Sequence, residues 1–219
     1  MTVPEELVVA AIVVAAGAGT RLGADVPKAF CEVGGRTLLD HAVARFSAHP
    51  AVRDIIVVVP ANMLDRVVEA VAVAGGASRP ESVAAGIAAL ADDVDAVLVH
   101  DAARPFVPAE VITRVVDALR AGADAVVPTV PVVDTIKRVF EGVVVETVDR
   151  AALQAVQTPQ GFRRSVLVRA HAHASAVTDD AMLVERAGGT VVVVAGADEC
   201  FKITRPWDLR VAEALMGSL

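Results

Sequence analysis

At 219 residues the chain has room for one sizeable α/β domain with a small excursion, and two independent domains would be cramped. Its 55% hydrophobic content is carried by Ala and Val, and the longest early apolar run, Leu7 to Ala16, falls short of the roughly 20 residues that span a bilayer. A net charge of −7 and a pI near 5.2 argue against a nucleic-acid partner and require any anionic substrate to be held by a local cluster of cations.

Glu5 and Glu6 precede the apolar run where a signal peptide would carry positive charge. Cys31 and Cys200 lack metal-ligand spacing and suit a reduced compartment without a structural disulfide. The expectation is a soluble, cytoplasmic protein with no membrane partner.

The stretch from Ile12 to Lys28, I-V-V-A-A-G-A-G-T-R-L-G-A-D-V-P-K, is a β-branched run ending in small residues, two glycines and two cations. Gly17 and Gly19 let a loop turn tightly and aim backbone N–H groups at phosphate oxygens, and Arg21 and Lys28 supply compensating charge. A glycine turn made for packing alone is the competing reading. A dinucleotide fingerprint would place Gly or Ala three positions after Gly19, where Leu22 stands, and a P-loop would follow Gly-Lys with Ser or Thr.

Further along, Thr37 is a candidate N-cap for a helix carrying Leu38, Leu39, Ala42, Val43 and Phe46. A strand from Asp54 to Val59 precedes an expected helix from about Met63 to Val73. The segment Gly75 to Ser82, with Arg79 and Pro80, leads into a helix from Glu81 to Ala91, so Ser78 and Ser82 serve either as caps or as part of an anion site.

Ala96 to His100 reads as a buried strand, followed at once by Asp101-Ala102-Ala103-Arg104-Pro105. Ligands of open parallel sheets bind outside the carboxyl ends of strands. Asp101 there is a natural magnesium ligand, and Arg104 either orients it or touches phosphate; a purely structural Asp–Arg pair is the alternative. A helix from Pro108 to Arg120 and a strand from Ala125 to Val127 continue the alternation, which argues for a mostly parallel sheet.

From Val132 to Val156 two β-rich runs flank Glu141-Gly142, a hairpin too poor in apolar surface to stand alone and therefore expected to pack on something, such as a second subunit. Helices are expected around Ser165 to Ala174, from a Thr178-Asp179-Asp180 cap to Ala187, and from Pro206 to Met216, with a strand from Val191 to Ala195 between the last two. Phe201 to Thr204 reads as a short strand or turn whose Lys202 is a cation in an apolar setting.

The ordered set A-A-G-A-G-T-R-L-G…P-K, G-G…R-P-E-S-V, V-H-D-A-A-R-P, D-T-I-K, T-V-D-R, Q-T-P-Q, T-D-D and F-K-I-T-R-P-W-D-L closely resembles the 2-C-methyl-D-erythritol 4-phosphate cytidylyltransferases of the non-mevalonate isoprenoid pathway. The resemblance runs over nearly the whole chain. It implies a single Rossmann-like α/β nucleotidyltransferase domain, with a mostly parallel sheet and a protruding hairpin arm at 132–156 that exchanges between subunits of a homodimer.

It further implies transfer of the cytidylyl group of CTP to 2-C-methyl-D-erythritol 4-phosphate with release of pyrophosphate, assisted by Mg2+, the alternative acceptor being another polyol phosphate such as ribitol 5-phosphate. Ala15, Ala16, Gly17 and Gly19 would line the CTP site, with Arg21 and Lys28 stabilising charge in the transition state. Gly76 and Ser82 would hold cytosine near Arg79, and Ala102 the ribose. Asp101 would bind the metal, joined by Asp198 or Glu199 if a second carboxylate takes part. Arg104, Thr135 and Thr158 would bind the acceptor, while Arg150 and Lys202 aim its attacking oxygen.

Overall fold

The computed structural model describes residues 7–17, 26–172 and 179–217. Its centre is an eight-stranded sheet. Strand β1 (Val9–Val14) lies between β4 (Asp54–Val59) and β6 (Ala96–Asp101), parallel to both, and β5 (Val71–Ala74) extends the β4 side. On the other side, β11 (Gln160–Arg163) runs antiparallel between β6 and β7 (Ala125–Pro131). β10 (Gln154–Val156) pairs antiparallel with the end of β7, and β12 (Val191–Ala195) pairs parallel with it.

β1 shows why the run is apolar without alternation. Val9, Ala11 and Val13 enter one core, with Phe46 of α1 (Leu38–Ser47) and Val111, Ile112 and Val115 of α3 (Ala109–Arg120). Ala10 and Ile12 enter the opposite core, with Val83 of α2 (Arg79–Ala88), Leu167 of α4 (Arg164–His171) and Leu183 of α5 (Asp180–Arg186). A strand covered by helices on both faces has no wet side for polar residues to occupy. Gly86 of α2 allows the close approach, because a Cβ there would lie 2.6 Å from Ile12.

The start of α1 follows from its cap. Thr37 accepts from the Asp40 amide while Asp40 accepts from the Thr37 amide, a reciprocal capping box. A small hairpin of β2 (Glu32–Val33) and β3 (Arg36–Thr37) precedes it, turning on Gly34 and Gly35 at φ +58° and +76°. The closing helix α6 (Pro206–Met216) matches the expected span and contributes Ala212 to a third cluster with Leu38, Phe106 and Ile203.

Two expectations fail. Residues 63–73 form no long helix: a 3-10 turn at Ala61–Arg66 gives way to β5, which occupies the sheet edge. The apolar residues at 63, 64, 67 and 71 fit a helical stripe, but the edge of β4 needed a strand, and four residues of V-A-V-A supplied one. Residues 201–204 form neither strand nor turn; Ile203 instead fastens the segment through its amide to the Ala103 carbonyl at 2.8 Å.

The segment 132–156 divides. Ile136–Phe140 (β8) and Val143–Val148 (β9) form a separate two-stranded sheet, turning at Glu141 and Gly142 with φ +47° and +81°, whereas residues 154–156 belong to the main sheet.

Candidate functional site

The chain leaves β1 toward β4 on one side and later returns to β6 on the other, so the strand order reverses at β1. A crevice opens at such a reversal, outside the carboxyl ends of the strands. Here it is a cleft of about 360 Å³ lined by Val14 to Gly17, Lys28, Ala29, Gly76 to Arg79, Ser82, Asp101 to Ala103, and Lys202. Gly19 and Arg21 lie outside the described residues.

Two floors of the cleft are backbone. The Ala15 amide donates to the Val58 carbonyl and the Ala102 amide to the Val14 carbonyl, so both loops continue the sheet before diverging. Gly75 sits against Ala16 so closely that a Cβ would lie 2.4 Å from the alanine methyl. The following loop is held by Glu81, whose carboxylate accepts from the Ala77 amide at 3.0 Å and the Ser78 hydroxyl at 2.8 Å.

Ser78 caps α2, accepting from the Glu81 amide, and Ser82 donates its proton to the Ser78 carbonyl at 2.9 Å. The capping reading therefore holds for Ser78. Ser82 faces the cleft with its donor already used, which leaves it an acceptor toward a ligand N–H.

Three cations converge with one carboxylate. Lys202 Nζ lies 2.6 Å from Asp101 Oδ2, Arg79 Nε and Nη2 lie 3.4 Å from Asp101 Oδ1, and Lys28 Nζ donates to the Ile203 carbonyl at 2.5 Å. Burial alone would raise the Asp101 carboxyl, but Arg79 and Lys202 outweigh it and hold the group well below the usual carboxylate range. It is therefore ionised at any physiological pH, as a metal ligand must be. Lys202, read from its apolar neighbours as purposeful, is thus the direct partner of Asp101.

Asp101 and Arg104 form no side-chain pair. The Arg104 guanidinium donates to the Cys200 carbonyl at 2.7 Å and the Val156 carbonyl at 3.2 Å, and its Nε is buried without a partner. An arginine held only by neutral carbonyls keeps its full charge for an incoming anion. Thr158 stands behind Asp101: its Oγ1 accepts from the Asp101 amide at 3.1 Å and donates to Nδ1 of the fully buried His100 at 3.0 Å. His100 passes the chain on through Nε2–H to the Arg104 carbonyl at 3.0 Å. Burial pushes its pKa down to about 4 and keeps it neutral.

Thr135 and Arg150 are exposed near the hairpin and are not among the residues lining the cleft. Asp198 and Glu199 are also exposed and outside it. Among the described residues no three acidic, His or Cys side chains cluster as a metal cage. The carboxylate that lines the cleft is Asp101, and magnesium typically takes one or two carboxylates and fills its remaining positions with phosphate oxygens and water. His100, Glu81 and the carbonyls that hold Arg104 were not legible beforehand; V-H-D placed a histidine beside Asp101, but only its burial reveals its task.

A doubly wound sheet with a cation-lined crevice at its switch point defines a nucleotide-handling α/β protein. The family signature of 2-C-methyl-D-erythritol 4-phosphate cytidylyltransferase matches residues 9–218, and the chain belongs to that family. It is 48% identical over 228 residues to the 2-C-methyl-D-erythritol 4-phosphate cytidylyltransferase of Streptomyces coelicolor, covering 95% of this chain and 84% of that one. It is 51% identical over 216 residues to the Nocardia farcinica protein of the same name, covering 95% and 94%. The crystal structure of the Thermus thermophilus cytidylyltransferase superposes with a TM-score of 0.84 at 40% identity, covering 95% of this chain and 98% of that chain.

Proposed function

We propose that this chain transfers the cytidylyl group of CTP to 2-C-methyl-D-erythritol 4-phosphate, giving the CDP-linked alcohol and pyrophosphate. The observation that carries the reading is the convergence of Lys28, Arg79, Lys202 and Asp101 in one crevice at the switch point of the sheet. The acceptor phosphate is itself the nucleophile, attacking the α-phosphate of CTP in line, so the protein supplies position and charge. Cys200 is no candidate nucleophile: burial pushes its thiol up to about 11, and its Sγ donates to the Thr158 carbonyl.

Ala15, Ala16 and Gly17 cradle the triphosphate, a role the family resemblance extends to Gly19 and, as a charge-stabilising group, to Arg21, and Lys28 neutralises charge that grows on the phosphoryl group and departing pyrophosphate. Gly76 and Ser82 receive cytosine, where an acceptor hydroxyl suits the exocyclic amine. Asp101 holds Mg2+, which, when bound, screens the phosphate charges. Arg104 and Lys202 face the acceptor phosphate, and Thr158 sets the Asp101 backbone between them.

Thr135 and Arg150 do not line the cleft of their own chain; in this reading they serve the acceptor site of a second copy, and the active form is a homodimer joined through the hairpin. Val139, Phe140, Val143, Val144 and Val145 are all more than half exposed on that hairpin, which supports its being covered by a partner. The whole of 1–219 then forms one catalytic domain with the arm inserted in it. Buried, free Cys31 and Cys200 support a cytoplasmic setting, and among the described residues no helix is long and apolar enough to cross a membrane.

The test is pyrophosphate release with CTP and Mg2+, run with 2-C-methyl-D-erythritol 4-phosphate and, in parallel, ribitol 5-phosphate. Release with the first alone is expected. Release with ribitol 5-phosphate alone would keep the CTP half and reassign the acceptor pocket.

A further inference from the structure

Asp180 lines no part of the cleft, yet it is wholly buried and ionically committed to it. Its Oδ2 accepts from Arg79 Nη1 at 2.6 Å and its Oδ1 pairs with His171 Nε2 at 3.0 Å. Arg79 is therefore strung between two carboxylates, short to Asp180 and long, 3.4 Å, to Asp101. The lengths say which hold dominates.

The anchor is itself anchored. The Gln160 side-chain Oε1 accepts from the Asp180 and Ala181 amides at 3.2 Å each, and its Nε2 donates to Asp179 Oδ2 at 3.2 Å. Asp179 in turn caps α5 by accepting from the Met182 amide. Strand β11 and helix α4 thus fix the carboxylate from two directions. Only the Nε–Nη2 edge of Arg79 is left to face the cleft.

We propose that Asp180 is a positioning residue for nucleotide binding: backed by His171, it holds Arg79 off Asp101 so that the guanidinium serves the nucleotide and the Asp101 carboxylate stays available. The proposal rests on reading the cleft as the CTP site. Without Asp180, Arg79 has one carboxylate left and closes onto it as a bidentate pair, withdrawing both groups from the ligand.

The experiment compares wild type with Asp180→Asn, His171→Gln, Arg79→Gln and the double variant D180N/R79Q. The readouts are CTP Kd by equilibrium dialysis, KM for CTP and for the acceptor, and the unfolding midpoint. In Asp180→Asn, CTP Kd and KM rise about tenfold or more, as for loss of an orienting charge-assisted hydrogen bond, while the acceptor KM stays within about twofold. His171→Gln shifts CTP Kd in the same direction by less. The double variant binds CTP no worse than Arg79→Gln alone, because Asp180 acts through that residue.

A folded Asp180→Asn with unchanged CTP Kd, or a double variant whose losses multiply, overturns the proposal. Should Asp180→Asn fail to fold, His171→Gln decides by the same measurement, and an unchanged CTP Kd there overturns it. Wild-type protein that neither binds CTP nor releases pyrophosphate from it would instead overturn the nucleotide reading beneath.

Discussion

The nucleotide cleft and the hairpin at 136–148 are built on opposite principles. Every charged group lining the cleft among the described residues has a partner within its own chain: Asp101 has Arg79 and Lys202, Arg79 also has Asp180, and Lys28 has the Ile203 carbonyl. The hairpin has its strand pairing and two cross-strand polar pairs, Lys137 with Thr147 and Arg138 with Glu146, while its valines face outward on a sheet of two strands. Two strands with a bare apolar surface do not hold their shape unaided. A region that completes itself can be preorganised before ligand arrives; one that leaves its apolar surface bare is completed by a partner only if the proposed dimer forms.

The largest expected effect tests the preorganised half. Lys28→Ala should lower kcat about a thousandfold while changing CTP KM by less than about tenfold, since its charge acts on what develops in the transition state. Steady-state kinetics on the purified variant checks this, and equal losses in binding and turnover would remove Lys28 from that role.

The next sharpens what preorganisation requires. His100 titrates at about 4 in the folded protein against 6.5 ordinarily, so the unfolded chain takes up a proton that the folded one refuses. The stability it contributes is complete above about pH 6.5 and is lost as pH falls toward 4, by about 3 kcal/mol. Urea unfolding of the metal-free protein across that range, compared with His100→Asn, should show the shallower pH dependence in the variant.

The third probe would break the comparison outright. Arg150→Ala should lose about a hundredfold in turnover if it aims the acceptor, and mixing it with inactive Lys28→Ala should restore about a quarter of wild-type activity, because half of randomly reassorted dimers carry one intact site. No recovery after verified subunit exchange would return Arg150 to a surface role. Last, Val144→Lys places a charge on the exposed face of the hairpin. It should weaken a covered interface by about 2 kcal/mol, seen as a shift toward monomer in sedimentation, against no more than about 0.5 kcal/mol at a solvated position.

Legibility in the sequence divides by the range of the interactions involved. Thr37, Asp179 and Pro206 announce helix starts through contacts within one turn, and each start lies at or beside its signal. β1, β4 and β6 are runs whose composition alone implies burial in a sheet; β12, equally apolar, joins the sheet on β7 but stays half-buried to exposed. β5 and β11 are strands because of their neighbours: Q-G-F-R is no strand signal, and Gly161 is needed there because a Cβ would lie 2.4 Å from Val115.

The same division holds for the site. Lys28, Asp101, Arg79 and Lys202 stand next to recognisable motifs and do share the cleft. Gln160, His171 and Asp180 act across 9 to 101 positions of sequence and declare themselves only in three dimensions.

The way Arg104 is held bears on how freely the protein can drift. Its two partners are main-chain oxygens, at positions 156 and 200, and a carbonyl is supplied by whatever amino acid stands there. Side-chain changes at 156 that preserve the backbone path leave the guanidinium in place. Asp101, whose two cation partners are both side chains, has no such tolerance: a mutation at 79 or 202 reaches it at once. Two neighbouring charges of one site thus carry very different mutational exposure, and a library randomised at positions 79, 156 and 202 would return functional variety almost entirely at 156.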